Sequence, residues 1–257
     1  MNTTGIHIAR ETALRTWLKT LRRPVPLTFS FVQPFLWMLI FGFLFQRFTL
    51  GPGYEGFAYL DFLLPGICVM TVLFGASQAG VLFVRDMQTG FLQRMAYASG
   101  HPGWMLTGKL GADVLRLLAQ ALFVALAGFL VGARMDPDLE TLGLAVVGVA
   151  CFAIAYAGLS SWIALKSKNQ ESMAVFIHVV NMPLLFTSTA LVPHRQMPEW
   201  LAAIARWNPL TLVADGLRGA LLFHRGPDPL TVLLPLAALG LVFFLATRRA
   251  LARTADL

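Results

Sequence analysis

Hydrophobic positions in this chain fall in long blocks rather than in alternation. Six apolar stretches, roughly 27–46, 61–83, 109–132, 140–165, 172–192 and 229–247, are separated by short polar connections. A bilayer core is about 30 Å thick and takes about 20 helical residues to cross. The blocks have that length, so the pattern predicts six transmembrane helices. Ahead of them, Leu14, Trp17, Leu18 and Leu21 recur at helical spacing, while Arg10, Arg15, Lys19, Arg22 and Arg23 fill the other face. This predicts an amphipathic helix over 5–23 lying in the headgroup plane; the plainer reading is a basic flank that only orients the chain. The stretch is amphipathic and no small-residue cleavage site follows it, unlike a cleaved signal peptide. The expected fold is an all-α polytopic membrane protein in one domain.

Composition sharpens this. Hydrophobic residues make up 57% of the 257, charged ones only 13%, and the mean hydropathy is +0.67. That is about half the charged share of an ordinary soluble domain. It argues against a soluble enzyme, a DNA-binding domain and a disulfide scaffold. The net charge of +7 could suggest nucleic acid, but its placement fits membrane topology instead. With the N-terminus cytoplasmic, the basic residues before the first block, those between the second and third, and those after the sixth (Arg248, Arg249 and Arg253) lie inside. Only Arg47, Arg134, Arg195, Arg206, Arg218 and Arg225 lie outside. This is the positive-inside arrangement, and six spans put both termini in the cytoplasm. Trp17, Trp104, Trp162, Trp200 and Trp207 fall near the expected interfaces, as belt residues do. Cys68 and Cys151 sit inside apolar blocks and read as small core residues.

Small residues crowd several blocks: Gly75, Ala76, Ala79 and Gly80 in the second, Gly143, Gly148, Ala153, Ala157 and Gly158 in the fourth. They read as seams where helix backbones approach. Pro34, Pro65, Pro183 and Pro235 lie within blocks, where neighbours can satisfy the freed carbonyls. Gly103 to Lys109 satisfies G-x-x-x-x-G-K, but Leu110 stands where a phosphate loop needs Ser or Thr for magnesium, and no strand precedes it. The expectation is that ATP, if it drives this protein, binds another chain.

Two connections exceed what topology requires, and long loops on a rigid frame commonly carry function. In the inside connection 84–108, residues 86–97 predict a short amphipathic helix with Met87, Phe91 and Met95 on one face, ended by Pro102. Its form is a docking knob or a helix resting on lipid. In the outside connection 193–228, Pro198 suits a first helical turn, and Trp200, Ile204 and Trp207 share a face. Asn208-Pro209 breaks that helix and starts a second, about 210–224, too short to span. Asp215 and Arg218 are placed to pair across one turn. The expectation is a helical hairpin dipping into the outer leaflet.

Three stretches together resemble the permease subunit of ABC-2 type transporters, the type V exporter fold. They are Tyr59-Leu-Asp-Phe62-Leu-Leu-Pro65-Gly66; Asp86-x-x-Thr89-Gly90-x-Leu92 with Pro102 and Gly108-Lys109; and Asn208-Pro209-Leu210 with Asp215 and Arg218. The form around Tyr97-Ala-Ser-Gly is looser than the family's. The resemblance implies a homodimer bound to two copies of a separate ATPase, in a bacterial inner membrane, with no cofactor on this chain and ATP and magnesium on the partner. It implies no nucleic acid and a boundary of membrane lipid. It assigns coupling to Arg85, Asp86, Gly90, Phe91, Arg94 and Pro102, in the region 85–102. It implies a path at the dimer axis along the first, second and fifth spans, with Gln33, Trp37, Ser77, Gln78, His178 and Asn181 as candidate lining residues. For Gln78 and Asn181, helix–helix hydrogen bonding is an equal reading.

Other classes fit less well. A proton-coupled carrier needs a carboxylate or histidine relay near mid-membrane, and His178 stands alone there. An intramembrane enzyme needs facing Glu/His or Asp/His pairs, which the blocks lack. Without a charged ring in the lining, a lipophilic drug or antibiotic is the expected substrate, and a lipid-linked glycan or lipid the alternative.

Overall fold

The computed structural model describes residues 3–22, 24–90 and 102–255, and among them every regular element is helical. The helices are α1 (Thr3–Leu21), α2 (Pro24–Leu44), α3 (Tyr59–Gln88), α4 (Pro102–Val131), α5 (Leu139–Ser167), α6 (Gln170–Phe186), α7 (Glu199–Ala205), α8 (Pro209–Leu222) and α9 (Leu234–Ala255). A π-helical turn, Pro229–Leu233, leads into α9. Four helical stretches are long and apolar enough to cross a membrane: Tyr59–Gln88, Gly103–Val131, Leu139–Ser167 and Pro229–Leu251. They contain the second, third, fourth and sixth apolar blocks. The first block falls in α2. The fifth falls in α6, but α6 ends at Phe186, after Pro183, and 187–192 form an irregular turn.

Short polar side chains start several of these helices by taking otherwise orphaned backbone N–H groups. Asp138 accepts from Glu140 and Thr141 at 3.2 and 3.4 Å, Asn169 from Glu171 at 3.0 Å, and Asp228 from Leu230 at 3.1 Å. The Asp228 carboxyl is held below its usual range by the Thr231 hydroxyl and then by the Leu230 N–H. Asp61 does more. One oxygen accepts from Ala58 N at 2.8 Å, closing the start of α3, and the other accepts from Arg134 N at 2.6 Å, pinning the α4–α5 connection.

The central element is α3, whose residues Phe62 to Leu73 are all buried. Antiparallel to it runs α4, in a register marked by Phe83 beside Lys109, Gly75 beside Arg116 and Leu117, Cys68 beside Ala121, and Leu64 against Gly128. On another side α5 runs parallel to α3, with Ser160 Oγ donating to Ser77 O at 2.9 Å. Parallel to α5 lies α9, with Phe243 against Gly158, Ile154 against Gly240, and Thr247 Oγ1 donating to Gly158 O at 3.1 Å. The sequence expectation of small-residue seams describes these contacts.

Two seams are backbone on backbone. A methyl on Gly66 would sit 2.0 Å from the Ala190 carbonyl oxygen, and one on Gly108 would sit 2.1 Å from that of Ala9. Neither neighbour is a side chain that can swing away. Gly66→Ala is therefore expected to destabilise the protein by about 1–3 kcal/mol and to lower its unfolding temperature in detergent. Gly143→Ala, whose methyl meets nothing within 4 Å, is expected to leave that temperature unchanged or slightly raised.

Candidate coupling and path sites

Among the described residues Arg218 is the largest fully buried side chain, 1% exposed, and it belongs to the long connection 193–228. Within that segment Asn208 caps α8 through Leu210 N at 2.9 Å, and its amide also donates to Leu184 O at 2.7 Å. Helix α8 is thereby fastened to the end of α6 and lies against α3 and α5 with Leu210, Val213, Ala214 and Leu217 buried. Asn208-Pro209 thus breaks and restarts the helix as the sequence suggests, and α7 and α8 are the two arms.

All three nitrogens of the Arg218 guanidinium are occupied. Nε donates to Phe62 O at 3.2 Å, Nη2 donates to Thr189 O at 3.0 Å, and Nη1 donates to Asp215 Oδ1. The guanidinium also lies 3.7 Å over the Phe62 ring, a cation–π contact. Asp215 Oδ1 takes a second hydrogen bond from Thr189 Oγ1 at 2.8 Å, while the Asp215 side chain is 48% exposed. The pairing expected for Asp215 and Arg218 is present, but it is one part of a larger knot. Arg218 joins α8 to the carbonyls of α3 and of the 187–192 turn. Tyr59 adds a fourth tie, its hydroxyl donating to Leu191 O at 2.9 Å.

Above this knot is a cavity of about 220 Å³ lined by Tyr54, Phe62, Thr189, Arg195, Asp215 and Phe223, among others. Burial pushes the Tyr54 hydroxyl upward, with the Arg218 charge opposing.

A second knot lies deeper. The Tyr156 hydroxyl donates to Asn181 Oδ1 at 2.5 Å, the Asn181 amide donates to Ser77 Oγ at 2.8 Å, and Ser77 donates to Leu73 O at 2.9 Å. It ties α3, α5 and α6 together, and all its side chains are buried. Ser77 and Asn181, two candidate path residues, therefore spend their polar atoms between helices of one chain. The other candidates sit differently. Gln33, Gln78 and His178 are exposed on α2, α3 and α6, and Trp37 is half-buried and stacked on Phe41 at 5.2 Å. His178 Nδ1 is 2.9 Å from Ala174 O of its own helix.

At the other end, α3 continues through Arg85 and Asp86 to Gln88, so no separate helix begins at Asp86. Asp86 pairs with Lys19 of α1, and Arg85 is exposed. Met87 packs partly into the core. Gly90 has φ +67°, a left-handed backbone that suits glycine, and nothing lies within 4 Å of the place where a Cβ would be. Phe91 and Arg94 lie outside the described residues. Pro102 is the first residue of α4, and Gly103 to Leu110 are helical. The G-x-x-x-x-G-K match is therefore not a loop that could cradle phosphate.

The sequence has relatives among known proteins. Residues 11–222 match the family described as ABC-2 type transporter. The chain is a member of that family. It is 31% identical over 212 residues to a transport permease, ycf38, of Cyanophora paradoxa, covering 79% of this chain and 70% of that one. It is 30% identical over 229 residues to the daunorubicin resistance ABC transporter permease protein DrrB1 of Streptomyces coeruleorubidus, covering 83% and 77%. A doxorubicin resistance permease, DrrC, of Mycobacterium tuberculosis is 22% identical over 194 residues, covering 74% and 68%. ABC-2 permeases are membrane transport subunits that work with a separate ABC ATPase, and ATP hydrolysis falls to that partner.

Sequence reading assigned no role to Thr189, which lies within the fifth apolar block, yet its carbonyl accepts from Arg218. Asp61, outside that knot, also went without a role; pattern offered one signal, its place three residues past Ala58, where a carboxylate can close a helix start.

Truncating Arg218 removes the cation beside Asp215 and the donor to the Thr189 carbonyl, and breaks the tie to the Phe62 carbonyl of α3. Arg218→Met is expected to cost about 3–5 kcal/mol, in the range for breaking a buried charge pair. Arg218→Lys should lose nearly as much, since one ammonium cannot reach three acceptors set in a fork. Asp215→Asn keeps an acceptor for Nη1 but leaves the buried guanidinium without a counter-charge, so it should cost more than about 1 kcal/mol, though less than Arg218→Met because Asp215 itself is half in water. Thermal unfolding of the three variants in one detergent checks the order.

Proposed function

We propose that this ABC-2 permease forms, as a homodimer, the membrane path of an ATP-driven exporter for a lipophilic small molecule. Two copies of a separate ATPase bind its cytoplasmic face and carry ATP and magnesium, so this chain needs no cofactor. In this reading α2, α3, α4, α5, α6 and α9 are six spans of a bacterial inner membrane, with both termini cytoplasmic.

The observation that carries the reading is where the polar residues stand. Gln33, Gln78 and His178 project from exposed faces of α2, α3 and α6, amid Val175, Val179 and Leu36, which are also exposed. Polar groups turned into hydrocarbon are expensive. They are accounted for if these three helices face a second copy across a partly hydrated path. The lining would then be apolar with a few uncharged polar groups, which suits a lipophilic solute better than an ion. Two relatives whose names refer to daunorubicin and doxorubicin resistance agree with that class.

Exit would run past α8 and α7. The α7 side chains Trp200, Ile204 and Trp207 are exposed, which suits a helix resting in the outer interface. Entry of force would be at 85–102, where Gly90 makes the turn out of α3. Arg85, Phe91 and Arg94 belong to the surface offered to the ATPase, while Asp86 holds α1 to it.

The test is reconstitution in proteoliposomes with the cognate ATPase. ATP-dependent movement of a fluorescent anthracycline is expected from the complex, and no ATP hydrolysis from this chain alone. Hydrolysis by a preparation free of other chains, or a complex that moves no lipophilic probe, would overturn the reading. Within the complex, Gly90→Val imposes a left-handed backbone on a branched residue, at about 1–2 kcal/mol. It is expected to cut transport per ATP hydrolysed severalfold while the membrane part stays folded, as checked by tryptophan emission.

A further inference from the structure

Along one face of α4 stand Lys109, Asp113, Arg116 and Gln120, at a spacing of three to four residues, and all are largely buried. Lys109 Nζ donates to Asp113 Oδ2 at 2.7 Å and lies 5.0 Å from the centre of the Phe83 ring of α3. Arg116 Nη2 is 3.8 Å from Asp113 Oδ1 and donates to the Gly75 carbonyl of α3 at 3.2 Å, while Nη1 donates to Gln120 Oε1 at 3.3 Å. Arg116 Nε has no hydrogen-bond partner among the described residues. Two cations thus share one carboxylate in the N-terminal half of a helix that is long and apolar enough to span. Folding alone does not call for this, since well-packed apolar residues commonly replace buried ion pairs without loss.

What the charges add is direction. Apolar contacts between helices in lipid leave them free to slide and pivot, whereas Arg116 Nη2 on the Gly75 carbonyl and Lys109 beside the Phe83 ring fix register. At the same place a methyl on Gly75 would meet Leu117 at 2.3 Å, so the helices touch there. The neighbourhood is braced further by Lys19 on Asp86 and by Gly108 against Ala9, which hold α1 to α3 and to α4.

We infer that Lys109, Asp113 and Arg116 form a charge train that fastens α4 to α3, so that the two helices flanking residues 89–101 move as one lever. They are positioning residues for the coupling proposed above, on which this inference rests. The ATPase would push on the segment joining the two helices, and the train would turn that push into a tilt of both rather than a splay between them.

Two variants decide it. Asp113→Asn leaves both cations unneutralised. The triple variant Lys109→Met, Asp113→Leu, Arg116→Met removes every charge. Spin labels on Gln78→Cys and Leu130→Cys, in a Cys68→Ala, Cys151→Ala background, report the α3–α4 distance by double electron–electron resonance. A narrow distribution is expected for the parent, and one at least twice as wide for both variants. The triple variant should recover the parent's unfolding temperature yet transport at least tenfold less per ATP hydrolysed in the reconstituted complex. Parent-like widths in both variants, or a triple variant with parent-like transport per ATP, would overturn the inference. If the parent complex itself shows no ATP-driven transport, the proposed function fails, and the distance distributions still decide whether the train fixes the pair.

Discussion

Apolar side chains gain little by leaving lipid for another helix, because both surroundings are equally free of water. A bundle in a bilayer must therefore be held by close backbone approach and by polar groups with nowhere else to bond. Both devices converge on α3 here. Gly66, Gly75, Gly80 and Gly128 let neighbours come close enough that a single methyl would collide with Ala190, Leu117, Ser160 or Leu64. The run from Phe62 to Leu73 is buried because helices lie on every side of it. Other helices are placed by their fit to this one.

Polar knots then fix angle and depth. Near one end Arg218 donates to the carbonyls of Phe62 and Thr189, so α8 cannot shift without breaking both bonds. In the middle Tyr156, Asn181 and Ser77 join three helices through two hydrogen bonds. At the far end Asp86 takes Lys19. Each knot joins residues far apart in sequence, and each uses up polar atoms that could otherwise meet a solute. Gln33, Gln78 and His178 remain exposed on α2, α3 and α6, and these leftover groups support the path assignment.

Reading the chain residue by residue succeeded where the signal was local. Asn208-Pro209 breaks one helix because the proline has no N–H to give the preceding turn, and starts the next because the asparagine side chain accepts from Leu210 N; both effects act within three residues. The apolar blocks were legible because hydrocarbon thickness sets a minimum helix length. Reading failed where a partner decides. Ser77 looks like a lining residue until Asn181 is seen to bridge it to Tyr156, the helix–helix role that was an equal reading for Asn181. Lys109, Asp113 and Arg116 look like headgroup-level charges, since their burial depends on how far α4 extends and where α3 lies beside it. Phosphate-loop spacing at Gly103 to Lys109 lost its meaning because the backbone there is helical and Lys109 is already bonded to Asp113.

By itself the sequence determined that the chain is helical and membrane-bound, that a helix breaks at Asn208-Pro209, and that three scattered stretches belong to one family. These follow from length, composition and contacts between near neighbours along the chain. The tertiary structure alone decided which polar residues are spent inside the bundle and which are left at its surface. That distinction depends on distances between helices up to 156 residues apart, as between Arg218 and Phe62. A hydrogen bond is satisfied or not at a distance of about 3 Å, a scale on which periodicity carries no information about the partner helix.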